Sequence, residues 1–180
     1  MPSFRPRRPP TLPLALLALL VAACVPRAAP PPPAPPPRPT PAPVAPPPPL
    51  AANWEDWPRT PGTWRYERDA RGSRAMFGAA GSDALAVLRC DLGTRQVYLS
   101  RSGTVAGAMT IRTSAMARAL AAQSTGGTPP YVAVALSPRD ALLDAIAFTR
   151  GRFAIEQPGL APLVLPPYAE VARVIEDCRA

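Results

Sequence analysis

The sequence predicts an α+β domain: an antiparallel sheet meander with two late helices, the C-terminal helix tied to the sheet by a disulfide. Three observations predict it. Short segments in the first half alternate apolar and polar residues, two stripes of helical period follow residue 137, and Cys90 in a candidate strand has a counterpart, Cys178, in the final stripe.

Thr63–Arg68 points Trp64 and Tyr66 one way, Arg95–Arg101 does so with Val97 and Leu99, and Ala108–Thr113 with Met109 and Ile111. Period-2 alternation of this kind marks half-buried strands. Ala84–Cys90, Tyr131–Leu136 and Arg152–Glu156 are further strand candidates, and Met116–Gln123 fits strand or helix equally. Turn signals fall at Ala70-Arg71-Gly72, Asp91-Leu92-Gly93-Thr94 and Ser102-Gly103-Thr104.

Ser137-Pro138-Arg139-Asp140 marks a helix start, with Ser137 as cap, Pro138 in the first turn and Asp140 where a capping-box acid sits. That helix is expected to run to about Thr149, with Leu142, Ala145, Ile146 and Thr149 on one face and Gly151 as the stop. A second helix, from about Pro167 to Cys178, places Tyr168, Val171, Ile175 and Cys178 in one stripe.

Of the 29 prolines in 180 residues, 15 lie between Pro26 and Pro49, so the globular part is expected at 53–180, long enough for one core without a metal or cofactor. The formal charge of +8 is misleading as a clue to partners. Five arginines (Arg5, Arg7, Arg8, Arg27, Arg38) precede the domain, which keeps 15 Arg against all 12 acids. With no basic run to track a phosphate backbone, nucleic acid is not an expected partner. The chain has neither Lys nor His. Histidine general bases, imidazole metal ligands and lysine Schiff bases are all thereby removed, and the domain is expected to be non-catalytic.

Arg5, Arg7 and Arg8 form a positive n-region, and Leu12–Val21 an apolar stretch too short to span a bilayer as a helix. Residues 1–23 therefore read as a signal peptide. Arg7-Arg8 is followed by Pro9-Pro10, which does not suit a twin-arginine signal and favours the general secretory route. Val21-Ala22-Ala23-Cys24 resembles the lipobox of bacterial lipoproteins. The resemblance implies that Cys24 is lipidated and becomes the mature N-terminus, giving tight membrane attachment through several acyl chains. Val25 is not the aspartate that retains such proteins in the inner membrane, so the resemblance implies the outer membrane, with the domain facing the periplasm.

Residues 24–52 read as a disordered proline-rich tether without apolar periodicity. As polyproline II, Pro26–Leu50 would reach roughly 75–80 Å as a semi-rigid spacer. In an oxidising compartment, with Cys24 taken by lipid, Cys90 and Cys178 are expected to pair. Two independent buried thiols are the alternative. The domain's outline is similar to small secreted proteins of the invasion-associated protein B family and to type VI secretion-associated lipoproteins. Those also place a Trp near the first strand, with Cys in mid-sheet and at the C-terminus. No functional residue is carried over from either.

Candidate contacts follow from residue type. Trp54, Trp57 and Trp64 cluster at the start of the domain, where aromatic faces stack on ligands or seal a core. Arg65, Arg112, Arg118, Arg150 and Arg152 lie on or beside strands and are candidates for an anion-binding patch. Asp140 and Asp144, and Glu170, Glu176 and Asp177, read as solvated helix faces, because nothing local supplies the apolar pocket that an acid/base pair needs. The expected function is an outer-membrane-anchored lipoprotein whose non-catalytic domain binds an envelope protein or cell-wall polymer. The alternative is an inhibitor of a periplasmic hydrolase of the lysozyme type.

Overall fold

A computed structural model describes residues 49–180. A short 3-10 turn, Trp54–Asp56, leads into β1 (Thr63–Asp69), β2 (Gly72–Gly78), β3 (Ala86–Asp91) and β4 (Gln96–Ser102). There follow β5 (Gly107–Arg112), β6 (Ala117–Ser124), β7 (Tyr131–Leu136), α1 (Ala141–Ala147), β8 (Phe153–Glu156), β9 (Leu163–Leu165) and α2 (Ala169–Asp177). All nine strands join one antiparallel sheet in the order β1-β2-β3-β4-β7-β6-β5-β8-β9. The α+β class is as expected, and so is the tie: Cys90 and Cys178 form a disulfide with Cα atoms 5.3 Å apart.

The alternation that predicts the strands also builds the core. In register, Ser73, Cys90, Val97 and Leu136 form one inward row across β2, β3, β4 and β7, and Ala75, Leu88, Leu99 and Val134 form the next. Every one of these side chains is buried. A period of 2 in each strand and matched register between strands put all of them on one face.

β6 turns the sheet: Ala117–Ala122 pair with β5, while Gln123 and Ser124 pair with β7. Inner-face residues of both halves, such as Phe77 and Leu88 with Met109, Ile111, Ile155 and Leu165, therefore share one core with Leu142, Leu143 and Ile146 of α1. The sheet's two ends meet. Thr60 N–H donates to the Val164 carbonyl at 3.0 Å and Val164 N–H to Thr60 Oγ1 at 2.9 Å, and Trp64 Nε1 donates to the Pro166 carbonyl at 2.7 Å. Closure of this kind occupies backbone groups that an edge would otherwise leave open.

α2 lies against β1, β2 and β3 and buries Val171, Val174 and Ile175. Asp177 accepts from Tyr66 Oη and from Arg68 Nη2, each at 2.5 Å. The Arg173 guanidinium sits 4.2 Å from the centre of the Tyr66 ring.

Several boundaries differ from the sequence expectation. β2 reads GSRAMFG and β9 is only LVL; glycine ends in one and a three-residue apolar run in the other give no alternation strong enough to find alone. Met116–Gln123 resolves as a strand because β5 supplies its partner. The cap of α1 is Asp140, not Ser137: Asp140 Oδ1 accepts from Leu142 N–H at 2.8 Å, and Ser137–Asp140 is a turn ahead of the helix. Tyr168 is half exposed at the cap position of α2, and Val174 fills the face assigned to it. In the β1–β2 turn Gly72 has φ +139°, and a Cβ there would lie 2.5 Å from the Cys90 carbonyl oxygen, so the close approach of β3 requires glycine.

Candidate functional site

Strand pairing gathers arginines at one end of the domain. β5 sets Arg112 opposite Ala117 of β6 and Ala154 of β8, and Ile111 opposite Arg118, so Arg112 and Arg118 lie at the same strand end, near the β5–β6 turn and the chain entering β8 at Arg150–Arg152, but on opposite faces of the sheet. That turn is fastened to the entering segment. Ser114 N–H donates to Thr149 Oγ1 at 2.8 Å, Arg150 N–H to Ser114 Oγ at 3.0 Å, and Thr149 Oγ1 to the Arg152 carbonyl at 3.0 Å. Within the turn, Thr113 Oγ1 donates to the Met116 carbonyl and accepts from Met116 N–H.

Four of the five arginines singled out in the sequence therefore share this pole, and the fifth does not: Arg65 stands on β1 and donates to the Ala79 carbonyl at 3.3 Å. The lead-in to β1 contributes another that sequence reasoning missed, Arg59, whose Nη2 donates to the Gly151 carbonyl at 3.2 Å. Nothing local marks Arg59. Its place follows from closure of the sheet ends at Thr60.

The charges are not equivalent. Arg112 pairs with Glu156, and Arg118 Nη2 lies 2.9 Å from both oxygens of Asp140. The Asp140 carboxyl is held below the usual range, the bond from Arg118 outweighing desolvation, with the Leu142 N–H adding to it. Arg152 instead donates to the Trp57 carbonyl at 2.8 Å. Among the described residues no carboxylate forms an ion pair with Arg59, Arg150 or Arg152, and residues 1–48 contain no Asp or Glu. Two residues ahead of Arg150 in the same segment, Phe148 caps α1 with 80% of its surface exposed.

The three tryptophans do not form one surface. Trp64 is 5% exposed and packs edge-on against Phe77 in the core. Trp54 lies in the 3-10 turn. Trp57 lines a groove of about 380 Å³ with Leu50, Thr110, Gln157 and Leu160, and its indole N–H donates to the Ala51 carbonyl at 2.7 Å.

A second residue that the sequence reading missed is Arg101. It lies in an inward row with Phe77, Ala86 and Val132 and is 3% exposed. Its Nη1 and Nη2 donate to the carbonyls of Ile155 (3.3 Å) and Ala161 (3.0 Å), holding both sides of the β8–β9 turn, and burial pushes the guanidinium's pKa down. The signal was available: Val97, Leu99 and Arg101 continue one alternation.

Elsewhere several carboxylates are tied to arginines, while Glu55, Asp56, Asp83, Glu170 and Glu176 form no ion pair among the described residues. On the outer face Glu67 pairs with Arg74, Asp69 with Arg89 and Asp91 with Arg71, and Asp144 pairs with Arg179. The Asp69 carboxyl is held far below its ordinary value chiefly by Arg89, and Asp91 is lowered chiefly by Arg71. For Asp177, desolvation is outweighed by hydrogen bonding, from Tyr66 first and then from Ser73 and Arg68, and the net shift is also downward.

The fold and this pole define a disulfide-closed α+β domain with a basic, partly apolar end. No protein-family model matches the chain, and neither a curated protein nor a solved structure matches it.

Proposed function

We propose that the chain is the precursor of an envelope lipoprotein, lipidated at Cys24 and held at the outer membrane with its domain facing the periplasm. In this reading the domain binds an anionic component of the envelope through the pole formed by Arg59, Arg150 and Arg152. Cys24 and residues 25–48 of the proline-rich tether lie outside the described residues, so the anchoring rests on the sequence motif. The single observation that carries the binding is the gathering of three guanidiniums that form no ion pair among the described residues. Planar guanidiniums suit bidentate contact with phosphate or carboxylate.

In this reading the domain is non-catalytic, which rests on the sequence: the chain contains neither His nor Lys.

Two measurements test the reading. Metabolic labelling with a fatty-acid analogue should mark the wild-type protein, and Cys24→Ser should lose the label and release the domain to the soluble periplasm; an unlabelled wild type refutes the anchor. Crosslinking in intact cells from a photoreactive residue at position 150 should recover an anionic envelope component. Recovery of the same species when the residue stands at position 65, with none from position 150, refutes the pole as the binding face.

A further inference from the structure

We propose that the partner of this basic pole is an anionic lipid surface, with the Phe148 ring seated among the headgroups and the guanidiniums of Arg59, Arg150 and Arg152 on lipid phosphates. The inference rests on the pole being a binding face and goes on to name what it meets. Two large apolar side chains stand out of the domain here, Phe148 at 80% exposure on the cap of α1 and Met116 at 37% in the β5–β6 turn. The segments that carry them are bonded to each other through Ser114, Thr149 and Arg150. Thr113 and Thr149, which fasten the platform, are 5% and 6% exposed. Phe148 is thus displayed on a braced surface that also bears the uncompensated charges.

A soluble polyanion or an acidic protein loop would satisfy the cations yet leave the phenyl ring in water. A membrane interface satisfies both, because apolar side chains enter the headgroup boundary while cations are drawn to anionic lipid. The exposed phenyl ring on the same segment as the cations therefore selects the lipid surface over a purely polar anion. Attachment at this pole would hold the domain against the bilayer whatever the reach of its tether.

The test uses the chain from residue 24 onward with Cys24→Ser, oxidised, so that acyl anchoring plays no part. Binding is measured by co-sedimentation with vesicles of phosphatidylcholine alone, with vesicles containing phosphatidylglycerol, and separately to soluble polyglutamate. Binding to the anionic vesicles and not to the neutral ones is expected. Phe148→Ser should weaken vesicle binding roughly tenfold, as loss of a buried phenyl implies, and leave polyglutamate binding unchanged. Replacing Arg59, Arg150 and Arg152 together by Gln should weaken vesicle binding on the order of a hundredfold, each charge contributing roughly fivefold.

Because Phe148 touches little of the core, its variant should keep the wild-type thermal midpoint. Vesicle binding unaffected by Phe148→Ser, with the Gln variant still defective on polyglutamate, overturns the lipid proposal and leaves the anionic-partner reading standing. A Gln variant that is folded and binds everything like wild type overturns both.

Discussion

Removing the covalent tie between α2 and β3 should cost the domain a large part of its stability. The perturbation is the double substitution Cys90→Ala/Cys178→Ala, which leaves no stray thiol. The bridge closes a sequence separation of 88 residues, and in the chain-entropy model a loop of that length restrains the unfolded state by about 4.6 kcal/mol at 25 °C. Cys90 is fully buried in its row between Ser73 and Val97, so loss of the sulfur adds a small cavity term of roughly 1 kcal/mol. Engineered and native bridges often deliver less than the model value, and the net expectation is about 3–5 kcal/mol.

For a domain of this size each kcal/mol moves the midpoint by about 3–4 °C, so thermal unfolding by circular dichroism should fall by about 10–15 °C or more. Wild type treated with reductant should unfold close to the double variant. Amide exchange should rise first in Ala169–Asp177, which would then be held by Val171, Val174 and Ile175 and by the Tyr66 and Arg68 bonds to Asp177. A double variant within about 1 kcal/mol of oxidised wild type in urea, with an unchanged m-value, refutes the reasoning.

Asp140→Ala removes both the cap of α1 and the partner of Arg118, and should destabilise by about 1–2 kcal/mol in urea; Asp140→Asn keeps a capping oxygen and should recover about half of that. Equal losses for the two would show that the cap contributes nothing. Arg101→Lys cannot reach the Ile155 and Ala161 carbonyls together, and the loss of one charge-assisted bond should cost roughly 1.5–3 kcal/mol, read as a shift in the urea midpoint. A neutral result would mean that the β8–β9 turn does not depend on the fork. The Asp69, Asp91, Asp140 and Asp177 carboxyls are lowered in the folded state, so just below the unfolded value of about 3.9 the unfolded chain binds more protons. Stability from these groups is therefore complete above that value and lost as pH falls through the folded values. With no His in the chain, the urea midpoint should be level between about pH 5 and 7 and decline below about pH 4; a midpoint that rises on acidification contradicts the sign.

The sequence by itself determined the class of the domain, six of its nine strands in outline, both helices and the pairing of Cys90 with Cys178. These are properties of local periodicity: two-residue alternation and a helical stripe each select a buried face within one segment. The tertiary structure alone decided what depends on the neighbour. β2 and β9 are strands because β1, β3 and β8 pair with them, and β6 became a strand for the same reason. Asp140 rather than Ser137 caps α1 because residues 137–140 close a turn and the helix begins at Ala141, and Arg118, 22 residues away on β6, also bonds the capping carboxylate.

The candidate site divides along the same line. Arg112, Arg118, Arg150 and Arg152 were legible as residues on strands or beside them, but which of them keep an uncompensated charge is a matter of contacts made across the fold. Glu156 and Asp140 neutralise two of them, and closure of the sheet ends brings in Arg59 from 92 residues away along the chain. A single sequence carries no record of those distances, because an ion pair forms wherever the backbone delivers its two partners: the register of β5 with β8 brings Glu156 to Arg112, and the start of α1 brings Asp140 to Arg118.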